Sequence, residues 1–251
     1  MVHFVGAGPG AADLITVRGM RLLEKADVVI YAGSLVTEEL LCYCRKDVTL
    51  YDSALMTLEE VIHTIKEADG KGCDIVRLHS GDPSIYGAVR EQMDELCKLG
   101  IDYDMTPGVT AAFAAASELE MEFTLPGVTQ TFIITRLEGR TPVPEQESIR
   151  KLVGTGASIA IYLSAGLIEK LRDNLSGVVP DDTPAAIVYK ASRVDQKMVV
   201  TTLGGLKEAA VSYGIDSTAV ILLGGAVSQS GYARSRLYDP GFTTGFRKGK
   251  E

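Results

Sequence analysis

The sequence predicts an α/β protein with two lobes, the first built on a parallel sheet and the second on a mixed sheet. Short apolar segments typical of buried strands alternate with helical patterns from residue 2 to residue 119. A similar alternation begins near residue 129, and a two-strand excursion around 198–202 would make that second sheet mixed. We therefore expect an N-terminal α/β lobe at 1–117, a C-terminal α/β lobe at 118–227 and a tail at 228–251.

The first lobe is predicted from four apolar segments and the helical patterns between them. Thr57 and Glu60 have the spacing of a capping box, so a helix should begin there, and Gly70 or Gly72 should end it. Regular alternation indicates a parallel sheet with helices on both faces. The strands are expected at 2–7, 27–31, 74–78 and 101–105. The other helices are expected at 16–25, 37–43, directly after 82, and at 110–119.

The second lobe follows a segment at 120–126 that we interpret as the crossing point between the lobes. Its strands are expected at 129–135, 157–163, 185–189 and 219–223. Its helices are expected near 145–153, 166–175 and 203–213. The tail is rich in Gly, Ser and Arg and lacks periodicity, which is typical of a loosely ordered segment.

Composition and charge argue against several classes of protein before any motif is considered. The 251-residue chain has a formal net charge of −8, which leaves no basic field for nucleic acid, because such binding depends largely on neutralising phosphates. No apolar run approaches the roughly 20 residues of a membrane helix, and the start of the chain lacks the basic region of a secretion signal. The four cysteines lack zinc spacing. We expect a cytoplasmic protein with reduced thiols and no bound metal.

The glycine-rich loop at 6–10 fits the dinucleotide fingerprint G-x-G-x-x-G/A formally, with Ala11 in the last position. That fingerprint needs a helix that opens inside the loop, whereas Pro9, Gly10 and Asp13 delay the helix to about Thr16. The second strand also ends in Tyr-Ala-Gly where an acidic residue would bind ribose. We therefore reject a nicotinamide cofactor. A tight turn without a ligand is the plain alternative for this loop.

The stretch at 77–87 contains the first candidate functional residue. The apolar run at 75–78 indicates the end of a buried strand, and Gly81-Asp82-Pro83 forces a turn. A helix that includes Ile85 and Val89 is expected next. Asp82 should then lie at the carboxyl edge of a parallel sheet, where ligands commonly bind. The alternative is that Asp82 only caps the following helix.

Five loop motifs can be read together: GAGPG at 6–10, DLITVRG at 13–19, SGDPSIYG at 80–87, TPGVTA at 106–111 and IYLSAG at 161–166. In this order they resemble the tetrapyrrole methylase family of S-adenosylmethionine-dependent enzymes. The longer segment TRLEGRTPVPE at 135–145 resembles, within that family, the branch that methylates precorrin-4 or its cobalt form at ring carbon 11. One position departs from the branch, since Thr244 stands where we expect a histidine.

The resemblance implies a homodimer of two-lobed chains with the methyl donor, S-adenosylmethionine, in the cleft between the lobes. It implies donor contacts from the first lobe at Pro9, Ser80, Gly81, Asp82, Ile85, Tyr86, Thr110 and Ala111. It implies donor contacts from later in the chain at Leu163, Ala186, Ala191, Thr218 and Ala219. Tyr86 and Tyr162 are candidates for stacking on the donor or for ordinary core packing.

The implied substrate is a precorrin-type tetrapyrrole, which carries many carboxylates and therefore needs local cations in a negatively charged protein. Arg136 and Arg140 are the first candidates because guanidinium groups bind carboxylates in a bidentate manner, and Lys190 and Arg193 are the second. Transfer should depend on positioning, worth roughly 7–11 kcal/mol, without a strong base. A methylase for another position, such as one acting on uroporphyrinogen III, and a non-catalytic tetrapyrrole-binding protein are the alternatives. We assign His3, His63 and His79 to structure.

Overall fold

The computed structural model describes residues 1–250, which form two compact units. The first unit consists of Met1–Ala114 together with Lys190–Asp195, a short segment from much later in the chain. The second unit consists of Ala115–Tyr189 and the residues from Gln196 onward. Each unit is described separately below, as unit 1 and unit 2.

Unit 1 is built on a parallel sheet, as predicted, and the sheet has five strands where the sequence predicted four. Its spatial order is β3-β2-β4-β1-β5. The edge strand β3 was not predicted, because its residues are mostly exposed and do not form an apolar run. The strands are β1 Val2–Gly6, β2 Val28–Tyr31, β3 Thr49–Asp52, β4 Ile75–His79 and β5 Tyr103–Thr106.

The helices begin close to where their capping residues predict. Thr16 accepts a hydrogen bond from Gly19 and begins the first helix, and the capping box of Thr57 and Glu60 is confirmed. The expected helix at 37–43 is a 3₁₀ helix, Glu38–Tyr43. The α-helices are α1 Val17–Leu23, α2 Leu58–Asp69, α3 Val89–Leu99 and α4 Ala111–Glu118.

The helices cover both faces of the sheet, and the connections that leave two neighbouring strands go to opposite faces. Ile15 and Leu23 pack against one face, while α2 and α3 pack against the other. The chain therefore leaves β1 toward the α1 face and leaves β4 toward the α3 face. Because β1 and β4 are neighbours, their outgoing connections diverge above the carboxyl ends of the strands. Such a switch point is where open α/β sheets usually bind ligands.

The expected helix directly after Asp82 is wrong. Helix α3 begins at Val89, and residues 82–88 form a turn that returns to the sheet. Tyr86 and Ala88 have left-handed backbone angles, with φ of 54° and 47°, so this stretch cannot be helical. The apolar spacing from Ile85 onward therefore predicted the helix itself but placed its start one turn too early.

Unit 2 contains a mixed sheet in the order β6-β7-β10-β8-β9, as predicted. β6 and β7 are parallel, and the remaining neighbours are antiparallel. The carboxyl ends of β6, β7 and β8 thus lie at the same edge as the amino end of β10. The strands are β6 Phe132–Arg136, β7 Ser158–Tyr162, β8 Pro184–Tyr189, β9 Lys197–Thr202 and β10 Ala219–Leu223, and the helices are α5 Ile149–Val153, α6 Ile168–Leu175 and α7 Leu206–Tyr213.

Three further features bear on the sequence predictions. The last described part of the chain contains a 3₁₀ turn at Arg236–Tyr238 and otherwise runs irregularly up to residue 250. All four cysteines are free. Within residues 1–250, no helix combines the length and the apolar character needed to cross a membrane.

The core of unit 1 contains two ionisable residues on β4. Arg77 and His79 are both buried and face the side of the sheet that α2 and α3 cover. Burial lowers the pKa of Arg77 to about 10, so the guanidinium remains charged at neutral pH. Burial, together with the positive charge of Arg77, lowers the pKa of His79 to about 3, although a hydrogen bond with the Gly87 backbone acts in the opposite direction. His79 is therefore neutral in the folded protein.

This buried neutral imidazole predicts a loss of stability in mild acid. The unfolded chain binds a proton near pH 6.5 but the folded protein does so only near pH 3, so stability should fall as the pH drops through that interval. From pH 7.5 to pH 5 the expected loss is about 2 kcal/mol of unfolding free energy, measured by urea denaturation. His79→Phe should remove most of this loss, whereas His63→Ala, at an exposed histidine, should not. Equal losses in both variants would contradict the assignment.

Candidate functional site

Three glycines bring the carboxyl ends of β1, β4 and β5 into direct backbone contact. A Cβ added at Gly6 would lie 2.6 Å from the Cα of Gly108 and 2.7 Å from the carbonyl oxygen of Gly81. A Cβ at Gly108 would overlap the same Gly81 oxygen. Real Cβ atoms do not make such contacts, so these positions require glycine. The strand ends can therefore meet with no side chain between them.

Backbone hydrogen bonds join the loops that leave β1 and β4. Ala7 donates to the carbonyl of His79 at 2.7 Å, and Gly8 and Gly81 exchange hydrogen bonds at 3.2 and 2.8 Å as an isolated antiparallel bridge. Gly8 and Gly81 both have left-handed φ values, 79° and 63°, which favour glycine. The loop predicted from the GAGPG motif is thus fastened to the loop that carries Asp82.

The carboxylate of Asp82 links the loop after β4 to the loop after β5. Its Oδ2 accepts a hydrogen bond from the backbone of Gly108 at 2.9 Å, while its Oδ1 accepts from both the backbone and the hydroxyl of Ser84. Burial raises the pKa of Asp82, but the hydrogen bonds from Ser84 and Gly108 outweigh burial and hold the pKa below its ordinary value. Asp82 is ionised at neutral pH, and Oδ2 keeps one lone pair for a further donor.

The structure also decides between the two interpretations of Asp82. Helix α3 begins seven residues later, with Ala88 at its N-cap position, so Asp82 is not a helix cap. Its hydrogen bond to Ser84 instead closes a local turn. The carboxylate therefore holds two loops together at the switch point between β1 and β4.

The segment Lys190–Asp195 completes unit 1 at the glycine loop. Ser192 accepts a hydrogen bond from the backbone of Ala11 at 3.0 Å. The side chain of Arg193 packs so closely on Gly10 that a Cβ there would overlap it, and its guanidinium donates to the carbonyl of Leu35. Lys190 pairs with Asp195 at 2.5 Å. Both predicted cations of this segment therefore have partners within unit 1.

The donor residues predicted in unit 1 lie on the loops that leave β1, β4 and β5 or on the segment beside them. Tyr86 is 45% exposed, and Ser80 and Ile85 are half-buried. Thr110 directly precedes α4 and Ala111 is its first residue. Four of the predicted residues are buried: Pro9, Gly81, Thr110 and Ala191.

The predicted donor residues of unit 2 lie at one edge of its sheet, with one exception. Leu163 directly follows β7 and is 70% exposed, while Thr218 and Ala219 lie at the start of β10. Those two strands are antiparallel neighbours, so these positions share an edge. Ala186 is the exception, because it pairs with Leu222 inside the sheet and has no exposed surface.

Backbone strain coincides with several of the predicted positions. Within residues 1–250, eight non-glycine residues have positive φ, and four of them were predicted to bind donor or substrate: Tyr86, Leu163, Lys190 and Thr218. A left-handed backbone conformation costs a non-glycine residue about 1–3 kcal/mol, and such residues cluster at functional sites. The positive φ values are a property of the fold and do not depend on the sequence motifs that singled out the same residues.

Arg136 and Arg140 differ in what they contact. Arg136 ends β6 and donates to the carbonyls of Leu137, Thr141 and Pro142 at 3.3, 3.1 and 2.7 Å. These hydrogen bonds hold the loop after β6 around the guanidinium. Because the carbonyl groups are neutral, they do not compensate its positive charge. Arg140 lies on that loop and is exposed. The fully buried Ser164 adds to this edge, because its hydroxyl accepts from the backbone of Leu137 at 2.9 Å and donates to the carbonyl of Tyr162.

Sequence analysis missed three residues that shape these loops. Ser192 carries no motif signal that distinguishes it from other loop serines, and Ser84 lies within the SGDPSIYG motif but was not singled out there. Gln92 was missed as well, although Arg77 offered a signal: a charged residue inside the apolar run at 75–78 must find buried hydrogen-bond partners. The described residues contain no group of three or more His, Cys, Asp or Glu side chains placed to hold a metal ion.

Comparison with known protein sequences identifies close relatives along nearly the whole chain. The family model of the tetrapyrrole (corrin/porphyrin) methylases matches residues 1–207. A cobalt-precorrin-4 C(11)-methyltransferase of Methanocaldococcus jannaschii is 48% identical over 98% of this chain and 96% of its own length. A precorrin-4 C(11)-methyltransferase of a Sinorhizobium species is 43% identical over 98% of both.

Solved structures resemble the chain in the same way. The X-ray structure of a cobalt precorrin-4 methyltransferase, a cobalamin biosynthetic enzyme, matches with a TM-score of 0.88 at 44% identity, covering 90% of this chain and 95% of that one. A uroporphyrin-III C-methyltransferase from Thermus thermophilus, complexed with S-adenosyl homocysteine, matches with a TM-score of 0.73 at 23% identity, covering 91% and 99%. The latter likeness concerns the fold alone. By sequence and by structure, this chain belongs to the tetrapyrrole (corrin/porphyrin) methylases.

Proposed function

We propose that this protein is an S-adenosylmethionine-dependent methyltransferase that methylates cobalt-precorrin-4 or precorrin-4 at ring carbon 11 in cobalamin biosynthesis. The main support is identity along nearly the entire length to enzymes named for this reaction. Relatives named for the cobalt form are 48% and 45% identical, and relatives named for the metal-free form are 42–43% identical. These values favour the cobalt form only slightly.

The site in unit 1 fits an adenosylated donor. The backbone crossing of Gly6, Gly81 and Gly108 leaves peptide groups, and no side chains, between these three strand ends. The ionised Asp82 has one acceptor position left on Oδ2, which suits a hydroxyl or amino group of a nucleoside. The S-adenosyl homocysteine complex of a family structure supports the same class of donor.

The chemistry asks little of acid or base groups in the protein. The sulfonium of the donor, when bound, supplies an electrophilic methyl group. What the chain must do is hold the acceptor carbon and the methyl group in line, and positioning of this kind can contribute roughly 7–11 kcal/mol. Asp82 suits that task because its existing hydrogen bonds to Ser84 and Gly108 fix the carboxylate before any ligand binds.

We propose that Arg136 and Arg140 bind carboxylates of the tetrapyrrole. The guanidinium of Arg136 is already oriented by three carbonyl groups, and the exposed Arg140 lies on the loop that those contacts shape. Lys190 and Arg193 are weaker candidates, since Lys190 pairs with Asp195 and Arg193 donates to Leu35. The formal net charge of −8 makes such local cations necessary for a substrate of this kind.

The finer statements about assembly are proposals too. We propose a homodimer, as the family resemblance implies, in the cytoplasm. The edge strand β9 exposes Met198 and Val200, and an exposed apolar edge strand is prone to pair with another chain. Light scattering coupled to gel filtration measures the mass of the assembly directly.

The function is tested by incubating the protein with methyl-labelled S-adenosylmethionine and either cobalt-precorrin-4 or precorrin-4, then locating the labelled carbon by NMR. Label at ring carbon 11 is expected. Label at another carbon would transfer the assignment to a different methylase of the family. Tight substrate binding without transfer would favour a non-catalytic tetrapyrrole-binding protein.

Asp82→Ala is expected to weaken binding of S-adenosyl homocysteine by about tenfold or more, because a hydrogen bond to a charged group is typically worth 1.5–3 kcal/mol. Isothermal titration calorimetry measures the affinity. Ser84→Ala is the matched control, since it removes one of the bonds to Oδ1 and keeps the Gly108 bond to Oδ2, and its loss should be smaller. Unchanged affinity in Asp82→Ala would mean that Asp82 only holds the two loops together.

Arg136→Ala is expected to weaken tetrapyrrole binding by about tenfold or more while leaving the affinity for S-adenosyl homocysteine within about twofold. The physical reason is that unit 2 loses both a cation and the centre around which residues 137–142 fold. Arg150→Ala is the control, because Arg150 also donates to a backbone carbonyl, that of Asn174, but lies on α5. Equal losses of both affinities in Arg136→Ala would contradict the assignment to substrate.

A further inference from the structure

Arg77 is a buried cation whose hydrogen bonds all go to neutral groups. It is 7% exposed and donates to the side-chain oxygen of Gln92 at 3.0 Å and to the carbonyls of Ile30 and Leu78 at 3.2 and 3.3 Å. Burying a charge costs free energy, and a leucine would suit this apolar strand better. A residue that is unfavourable for stability at its position needs another reason to be there.

Gln92 connects Arg77 to the start of helix α3 through two hydrogen bonds. It is 5% exposed, and its amide group has two partners: the oxygen accepts from Arg77, and the nitrogen donates to the backbone carbonyl of Ala88 at 3.1 Å. The charge of Arg77 fixes which way the amide is oriented, because only the oxygen can face a guanidinium. The nitrogen is thereby directed at Ala88.

Ala88 ends the turn that follows Asp82, and that turn is strained. Ala88 and Tyr86 both have left-handed φ values, and a Cβ at Gly87 would overlap the carbonyl of Pro83. Such a conformation persists only where its surroundings hold it. The Gln92 bond to Ala88 and the hydrogen bond between His79 and the Gly87 backbone are contacts of this kind, and both arise from the buried face of unit 1.

We propose that Arg77 and Gln92 are positioning residues that hold the turn at 82–88 in the shape required to bind the methyl donor. This inference rests on the proposed donor site, since the turn carries Asp82, Ile85 and Tyr86. Arg77 orients the amide of Gln92, the amide anchors Ala88, and the anchored turn places the exposed ring of Tyr86 at the edge of the sheet. None of the residues that act in this way need touch the donor.

Gln92 could matter only for the stability of the fold, or it could hold the turn at 82–88. The variant Gln92→Glu distinguishes these two roles. A glutamate keeps an oxygen for Arg77 and adds a charge that pairs with it, so the stability of the fold should be retained. It has no N–H for Ala88, and its second oxygen repels that carbonyl. The variant therefore removes the anchor of the turn without removing the partner of the buried cation.

The test compares Gln92→Glu with wild type by hydrogen exchange of backbone amides at 80–88, by thermal unfolding, and by calorimetry with S-adenosyl homocysteine. We expect exchange in this segment to quicken, and the ligand affinity to fall, by about three- to tenfold, the equivalent of one hydrogen bond. The melting temperature should not fall. Arg90→Ala on the same helix, which breaks an exposed pair with Asp94, is the control and should change neither exchange at 80–88 nor affinity.

The possible outcomes separate this inference from the proposed function. Wild-type protein that does not bind S-adenosyl homocysteine would overturn the donor site, and this inference with it. Wild-type binding with unchanged exchange and affinity in Gln92→Glu would overturn the inference alone. If Gln92→Glu does not fold, Gln92→Asn serves instead, because its shorter side chain cannot reach Arg77 and Ala88 together. Unchanged exchange and affinity in that variant would overturn the inference equally.

Discussion

The approach of backbone to backbone at Gly6, Gly81 and Gly108 is the constraint on which the rest of unit 1 depends. Because no side chain separates these strand ends, the loops after β1, β4 and β5 begin within hydrogen-bonding distance of one another. Asp82 can therefore bridge from its own turn to Gly108, and Gly8 can pair with Gly81. The chain also diverges after β1 and β4 at this place, which makes it the switch point of the sheet. The candidate site is a product of the topology of the sheet as much as of any one side chain.

The polar groups near this switch point are held in place by contacts within unit 1. Asp82 is ionised and held by hydrogen bonds, and the turn after it is strained. The buried side chains of Arg77 and Gln92 form hydrogen bonds that lead to the end of that turn. An enzyme that works by placing two reactants in line benefits from such rigidity, because little has to be reorganised on binding. The free energy that burial of Arg77 costs the fold is consistent with this demand.

The two-lobed α/β class, most element positions and the capping box could be predicted from periodicity and capping signals, because those reflect local contacts. The start of α3 could not, since apolar spacing continues through Ile85 while the backbone at Tyr86 and Ala88 is left-handed. Strand β3 escaped because an exposed edge strand has no apolar run. At the candidate site, Asp82 was singled out from its position after a buried strand. Ser192 and Gln92 were not, because their partners, Ala11 and Arg77, are distant in sequence or hidden by the fold.

The hydrogen bond from Ala11 to Ser192 joins residues 181 positions apart in the chain. During synthesis on a ribosome, residues 1–114 emerge long before Lys190–Asp195, so unit 1 must wait for its last segment while most of unit 2 is being made. A truncated chain that ends at residue 114 would lack the residues that cover Gly10 and Ala11. The contacts between the glycine loop and Lys190–Asp195 can therefore form only late in synthesis. Unit 1 cannot complete its fold before a large part of unit 2 has been made.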